Sequence, residues 1–155
     1  MSPRAACRLE TLGFTKVHDY AAGKVDWLAH GLAVEGTDAD QPTAGSLARH
    51  DAATCSLDDT AGEVLRRIDA SPYGFALVLS ARGVLLGRAR RSGLQSAEPD
   101  ALVESCMEPG PSTIRPHLTV EELHKRLARS EFKTFVVTTP GGSLLGVLRR
   151  DDVPS

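Results

Sequence analysis

The sequence predicts an α/β fold of the α+β kind: two pseudo-twofold related units of mixed sheet plus helices, preceded by a short α-β-α fragment. Three observations predict it. First, the chain repeats itself at an offset of 59 residues: 54–94 align without a gap on 113–153, and twelve of the 41 positions are identical. Glycines and arginines stay in step, as in Leu85-Leu86-Gly87 against Leu144-Leu145-Gly146 and Arg90-Arg91 against Arg149-Arg150, which shared composition alone does not produce. Second, each copy reads as an extended piece, an amphipathic helix and two apolar strands around a glycine turn. Third, a unit of about 45 residues is too small to bury a full core alone, so the two copies must hide their sheets against each other. Such pairing leaves a cleft between them, a natural place for a ligand.

The elements follow in chain order. Ser2-Pro3 suits an N-cap and first helical position, so a helix is predicted over 4–12 with Gly13 as its stop. Residues 14–20 read as a short strand with Val17 inward, and 23–30 as a second helix ending at Gly31. The polar, turn-rich residues 34–44 read as a linker after the first segment, 1–33. Copy one is assigned to 45–98 and copy two to 99–155. Extended pieces are expected at 54–56 and 113–115, the latter supported by Pro116, which disfavours a helical residue before it. Ala61, Val64, Leu65 and Ile68, and in copy two Val120, Leu123 and Leu127, make helical stripes. Thr60 and Thr119 each precede a glutamate by three residues, Glu63 and Glu122, the spacing of a capping box. Apolar runs at 75–79 and 84–89 around Arg82-Gly83, and at 134–138 and 144–148 around Pro140-Gly141-Gly142, suit buried hairpin strands. A short helix follows Arg90 and Arg149. Leu47-Ala48 lies at the same offset as Cys106-Met107, so each copy is expected to begin with a short helix.

Composition narrows the function. Net charge is −2, with 41% hydrophobic and 25% charged residues, ordinary for a soluble globular protein and unlike a nucleic-acid binder with a dominant basic face. No apolar run approaches the ~18 residues of a membrane span, and the N-terminal residues lack a signal-peptide core, so a cytoplasmic location is expected. Cys7, Cys55 and Cys106 are odd in number and far apart, without a CxxC pair. A zinc knuckle or thioredoxin motif is unsupported, and reduced, mostly buried thiols are expected.

From about Ser46 to Val153 the sequence resembles the cystathionine-β-synthase-type (CBS) domain pair, or Bateman module. The resemblance rests on Met107-Glu108-Pro109, Ser112-Thr113-Ile114-Arg115-Pro116, Leu118-Thr119-Val120-Glu121-Glu122-Leu123, and Leu144-Leu145-Gly146-Val147-Leu148-Arg149-Arg150-Asp151-Asp152. It implies a regulatory module, not an enzyme, that needs no cofactor and binds an adenosine-containing ligand such as AMP, ATP or S-adenosylmethionine in the cleft between units. It also implies a homodimer formed through the helices. Asp152 matches the ribose-binding aspartate and Arg149 the adjoining phosphate-side threonine. Thr113, Ile114 and Arg115 match the first strand, whose backbone meets the base. In copy one Gly93 replaces the aspartate and Arg90 the threonine, so that site looks lost. Arg90, Arg149 and Arg150 either supply charge-assisted contacts to phosphate or fill the cleft, and as plain residues they also suit a solvated surface. Asp152 alone equally suits a helix N-terminus.

The first 33 residues resemble the tail of a rhodanese domain, on Ser2-Pro3-Arg4-Ala5-Ala6, Leu9-Glu10, Leu12-Gly13-Phe14, Val17-His18-Asp19-Tyr20, Gly23-Lys24, Asp26-Trp27-Leu28 and Gly31-Leu32. The loop that holds a catalytic cysteine in that family is missing, and Cys7 falls inside a helix, so sulfur transfer is not expected. Trp27, Leu28 and Phe14 are expected to pack on the repeats or on a partner chain. Four roles thus compete: an adenosyl-ligand sensor, a ligand-free interaction module, a sulfurtransferase, and a nucleic-acid binder, against which the net acidity weighs.

Overall fold

The computed structural model describes residues 3–18, 20, 23–30, 32–36 and 41–154. Its central feature is the repeat. In copy one, β1 (Ala53–Cys55) runs parallel to β2 (Phe75–Leu79), which pairs antiparallel with β3 (Leu85–Arg90). In copy two, β5 (Thr113–Ile114), β6 (Thr134–Thr138) and β7 (Leu144–Arg149) repeat that arrangement. The register itself repeats at the 59-residue offset. Phe75 faces Arg90 as Thr134 faces Arg149, and the register shifts between Val78 and Leu79 as it does between Val137 and Thr138. Copy one gains a fourth strand, β4 (Glu108–Pro109), on β3.

The helices α3 (Ala61–Asp69) and α6 (Val120–Leu127) cover these sheets. Both capping boxes form. The Thr60 N–H donates to Glu63 Oε2 at 3.2 Å while Glu63 N–H donates to Thr60 Oγ1 at 3.4 Å, and Thr119 with Glu122 repeats this at 3.0 and 3.4 Å. Two backbone donors that a helix start leaves orphaned are thereby satisfied in each copy. The stripes read from the sequence face inward: Ala61, Val64 and Ile68 are buried in one copy, Leu123 and Leu127 in the other. Each of the larger ones, Val64, Ile68, Leu123 and Leu127, stabilises the fold by about 2 kcal/mol on leaving water. A helix α4 (Arg91–Ser96) follows β3, and a 3-10 turn at Arg150–Asp152 follows β7.

The segments that enter each copy cross to the other one. Helix α5 (Val103–Cys106) and β4 precede the first strand of copy two, yet Val103 is buried in the copy-one core beside Cys55, Val64 and Leu94. The turn at Ala44 precedes copy one, yet Ala44 lies in the copy-two core with Ile114, Leu123 and Leu148. Backbone bridges record the exchange. Arg49 and Val147 exchange both of their N–H···O bonds at 2.8 Å, where Glu108 pairs with Arg88 in the other half. Residues 44–47 form a turn and not the short helix expected there, whereas the equivalent residues 103–106 are helical.

This crossing explains the repeated Leu-Leu-Gly. A Cβ on Gly146, whose φ is +153°, would lie 2.5 Å from the Arg49 carbonyl oxygen. One on Gly87 would lie 2.6 Å from Met107 Sδ and 2.9 Å from the Glu108 carbonyl oxygen. Each glycine lets the other copy's entering segment lie directly on its strand. A third cluster, Tyr73, Phe75, Leu77, Val136 and Val147, joins the two sheets, and the hairpin turns bond each other through Leu85 N–H to Gly142 O at 2.9 Å and Leu144 N–H to Gly83 O at 3.1 Å.

Ahead of the repeats stand α1 (Pro3–Thr11) and α2 (Gly23–Ala29). The strand expected over 14–20 does not form among its described residues. Phe14 N–H instead closes helix α1 on Leu9 O at 3.2 Å, and Phe14 is 60% exposed, so it does not pack on the repeats. A lone strand without a neighbour leaves its backbone groups unpaired, so the pattern alone does not hold it extended. Tyr20 and Trp27 meet edge to face at 5.2 Å; the Tyr20 hydroxyl donates to Asp26 Oδ2 at 2.7 Å and Trp27 Nε1–H to Ala33 O at 2.9 Å. The expected roles of Ser2 and Gly31, and linker residues 37–40, lie outside the described residues.

Of the cysteines only Cys55 is buried, and burial pushes its thiol up to about 11. Cys106 is half-buried and Cys7 is exposed, which corrects the expectation of mostly buried thiols. Among the described residues no helix is long and apolar enough to cross a membrane.

Candidate ligand cleft

The pseudo-twofold axis generates two equivalent places where one copy's first strands meet the other copy's sheet, and they differ. At the first strand of copy two an open cleft of about 350 Å³ is lined by Ser112, Thr113 and Ile114, by Thr134, Phe135 and Val136 of β6, and by Phe75 and Arg88 from copy one. Arg126, Arg129, Ser130 and Phe132, from α6 and the loop after it, complete the wall. The size falls in the range of small-molecule sites. Three aromatic rings and three guanidinium groups share one space, so it offers apolar faces beside concentrated positive charge. Arg88 is tied to Glu108, Nη2 to Oε2 at 2.8 Å. Arg126 and Arg129 are exposed and hold no partner among the described residues.

At the first strand of copy one the equivalent space is filled. Phe132 is 60% exposed, but its repeat mate Tyr73 is 5% exposed and packs with Phe75 and Leu77. The Tyr73 hydroxyl donates to Asp51 Oδ1 at 2.8 Å, and the Arg149 guanidinium lies 5.0 Å from the ring centroid. A cation over a tyrosine face is worth about 0.5–2 kcal/mol. Burial of the phenol, then its bond to Asp51, raise its pKa above the ordinary tyrosine value. Two openings flank the copy-one strand: a pocket of about 100 Å³ that includes Arg49, Thr54 and Leu77, the last two being the mates of Thr113 and Val136, and a shallow one of about 410 Å³ that includes Thr54, Cys55, Asp59 and Arg67.

The structure divides the sequence-predicted residues among several places. Thr113 and Ile114 line the open cleft. Asp152 stands on the other side, in a two-pronged ion pair with Arg49: Arg49 Nε to Oδ2 at 2.7 Å, and Nη2 to Oδ1. That guanidinium holds the Asp152 carboxyl below its usual pKa. Arg149 covers Tyr73. Arg90 Nε donates to Glu108 Oε1 at 2.6 Å. Arg115 Nη1 donates to Thr139 O at 2.5 Å and reaches Thr138 Oγ1 at 3.3 Å. Arg150 caps the end of α6, donating to Leu127 O at 2.8 Å and to Ser130 O. Sequence reasoning passed over Phe75, Arg88, Arg126, Arg129, Phe132 and Tyr73. The signal for the last two was present, since the repeat aligns Tyr73 with Phe132, an aromatic pair in an otherwise polar turn.

Residues 103–153 match the family model of the CBS domain. No curated protein matches the chain in sequence. Among solved structures, the cytosolic domain of the Mg2+ channel MgtE in complex with ATP superimposes with a TM-score of 0.63 at 26% identity, over 72% of this chain and 47% of that one. This chain therefore spans about half the length of that relative. The CBS domains of a transcriptional regulator from Streptococcus pneumoniae give a TM-score of 0.63 at 19% identity, over 72% of this chain and 95% of theirs. CBSX2, a CBS-pair protein of Arabidopsis thaliana, in complex with AMP gives 0.61 at 18%, over 72% and 92%. Nothing in these comparisons supports the rhodanese resemblance of residues 1–33. Taken with the duplicated sheets and their exchanged entering segments, they show that the chain has the fold of a CBS pair, with its second repeat matching the CBS domain family itself.

Proposed function

We propose that the protein is a regulatory sensor that binds an adenosine nucleotide in the open cleft beside the first strand of copy two. The observation that carries this reading is the cleft's composition: Phe132 and Phe135 line it with Phe75, which is itself covered by Arg88, and Arg126 and Arg129 add guanidinium groups that hold no partner among the described residues. Bidentate arginine contacts to phosphate are among the stronger hydrogen bonds available to a protein. The same charge disfavours S-adenosylmethionine, whose sulfonium is positive, against AMP or ATP. Structures of similar fold carrying ATP or AMP support the class of ligand. Glu108, held by Arg88 and Arg90, is the carboxylate at this end of the molecule, whereas Asp152, the ribose-binding residue implied by the family resemblance, is engaged by Arg49 at the other.

In this reading the ligand is the signal and a second protein is the recipient. The chain acts in the cytoplasm, as a homodimer through its helices, without catalysing a reaction. Thermal melting tests it: AMP or ATP at a hundredfold excess over Kd raises stability by about 2.7 kcal/mol, and a folded sample whose melting point ignores both nucleotides contradicts it. A ligand-free interaction module is the second reading, favoured by the filled space around Tyr73. Sulfur transfer is the weakest, because Cys7 sits exposed within helix α1, where the neighbouring backbone N–H groups belong to the helix and are not free to hold a thiolate.

A further inference from the structure

We propose that Glu108 holds Arg88 while the open cleft is empty and gives it up to the ligand's phosphate, so that the crossing strand β4 carries a built-in competitor for the site. The proposal rests on the nucleotide reading above for the identity of the ligand and adds how that site is regulated. Arg88 faces two ways. Its side chain lines the cleft, with the guanidinium carbon 5.8 Å from the centroid of the Phe75 ring. Its Nε and Nη2 both donate to Glu108 Oε2, at 3.3 and 2.8 Å. Arg90 Nε donates to the other oxygen, Oε1, at 2.6 Å. Glu108 thus presents to the arginines what a phosphate presents, anionic oxygens that accept charge-assisted bonds.

The contact is built to exchange. The Glu108 side chain is 50% exposed and that of Arg88 21%, so water screens the pair and little stability is lost when it opens. The bond from Arg88 holds the Glu108 carboxyl below its usual pKa, so it is an anion at neutral pH. A phosphate in the cleft offers Arg88 more charge than a carboxylate does, and Arg126 and Arg129 line the same space. Arg90 keeps its bond to Oε1 after the exchange, so Glu108 is not left without a partner. Glu108 stands opposite Arg88 in the β3–β4 register, and Ser112, which lines the cleft, follows four residues later. One guanidinium therefore joins the cleft to the crossing strand. The aligned residue in the other crossing is Arg49, so the competing carboxylate belongs to this half alone.

Calorimetric titration of AMP into wild type, Glu108→Gln and Glu131→Gln tests the exchange. Glu131 is exposed, lies between the cleft residues Ser130 and Phe132, and makes no bond to Arg88 among the described residues. Its substitution removes the same charge without freeing the arginine. Glu108→Gln is expected to bind AMP about three- to fivefold tighter than wild type, the scale of one exposed ion pair. Glu131→Gln is expected to stay within about twofold, as a screened charge does. A gain in affinity is a result that structural damage at Glu108 does not produce. Affinity in Glu108→Gln equal to or below wild type overturns the proposal, and so does an equal gain in both variants, which a general field effect gives. If none of the three binds AMP, the nucleotide reading fails by itself and pyrophosphate becomes the probe. Tighter pyrophosphate binding by Glu108→Gln alone then upholds the exchange, whereas equal binding or none overturns it.

Discussion

The two halves of this molecule share strand order, register, capping boxes and even the position of a bulge, yet one interfacial cleft is filled and the other is open. Tyr73 and Phe132 occupy aligned positions after equivalent helices, and one is buried while the other stands in water. Duplication supplies the scaffold twice. Which ring is buried is then decided by a few polar partners, because a buried phenol needs an acceptor for its hydroxyl and Asp51 supplies one to Tyr73.

Four further experiments break or sharpen that contrast. The largest effect is expected at the aromatic pair. Tyr73→Ala removes a buried ring and costs about 4 kcal/mol, whereas Phe132→Ala removes an exposed one and stays within about 0.5 kcal/mol; urea unfolding of both variants measures the difference, and equal losses erase the asymmetry. Next comes Gly146→Ala, where the added methyl meets the Arg49 backbone at a left-handed φ, with an expected cost of about 3 kcal/mol. Gly87→Ala is expected to cost less, since its φ is not left-handed, Met107 can swing aside, and the backbone oxygen it meets, that of Glu108, lies at 2.9 Å and not 2.5 Å. Arg126→Ala combined with Arg129→Ala leaves stability nearly unchanged and weakens ATP at least tenfold, ~1.4 kcal/mol, in a calorimetric titration.

The smallest effect concerns Asp152. Arg49 depresses its folded pKa, so its contribution is fully present above the unfolded value near pH ~4 and is lost as pH falls through the lower folded value. Asp152→Asn is therefore slightly less stable than wild type at pH 7, and the two converge at strongly acidic pH. A gap that persists unchanged into acid contradicts the ion pair as its source.

The repeat carried most of the fold into the sequence. Strands at 75–79 and 134–138, the helices behind Thr60 and Thr119, and the pairing of sheets were legible because each rests on local periodicity or capping chemistry. The exchange of entering segments was not. Ala44 and Val103 look alike whichever core they enter, and only the repeated glycine of Leu-Leu-Gly hints that another backbone lies against it. The cleft was half legible for the same reason. Thr113 and Ile114 reach it because strand position follows from the repeat. Arginine side chains are long enough to choose distant partners, and the partners chosen (Glu108 for Arg90, the α6 carbonyls for Arg150) depend on the crossing that the sequence hides. The strand expected over 14–20 failed because alternation does not supply a neighbouring strand.

The measurement that bears most directly on the central claim is calorimetric titration of ATP into wild type beside the Arg126→Ala, Arg129→Ala variant. One saturable site per wild-type chain, weakened at least tenfold in the variant, is the predicted result. No saturable heat with wild type, or an affinity that the variant leaves unchanged, contradicts the assignment of the open cleft.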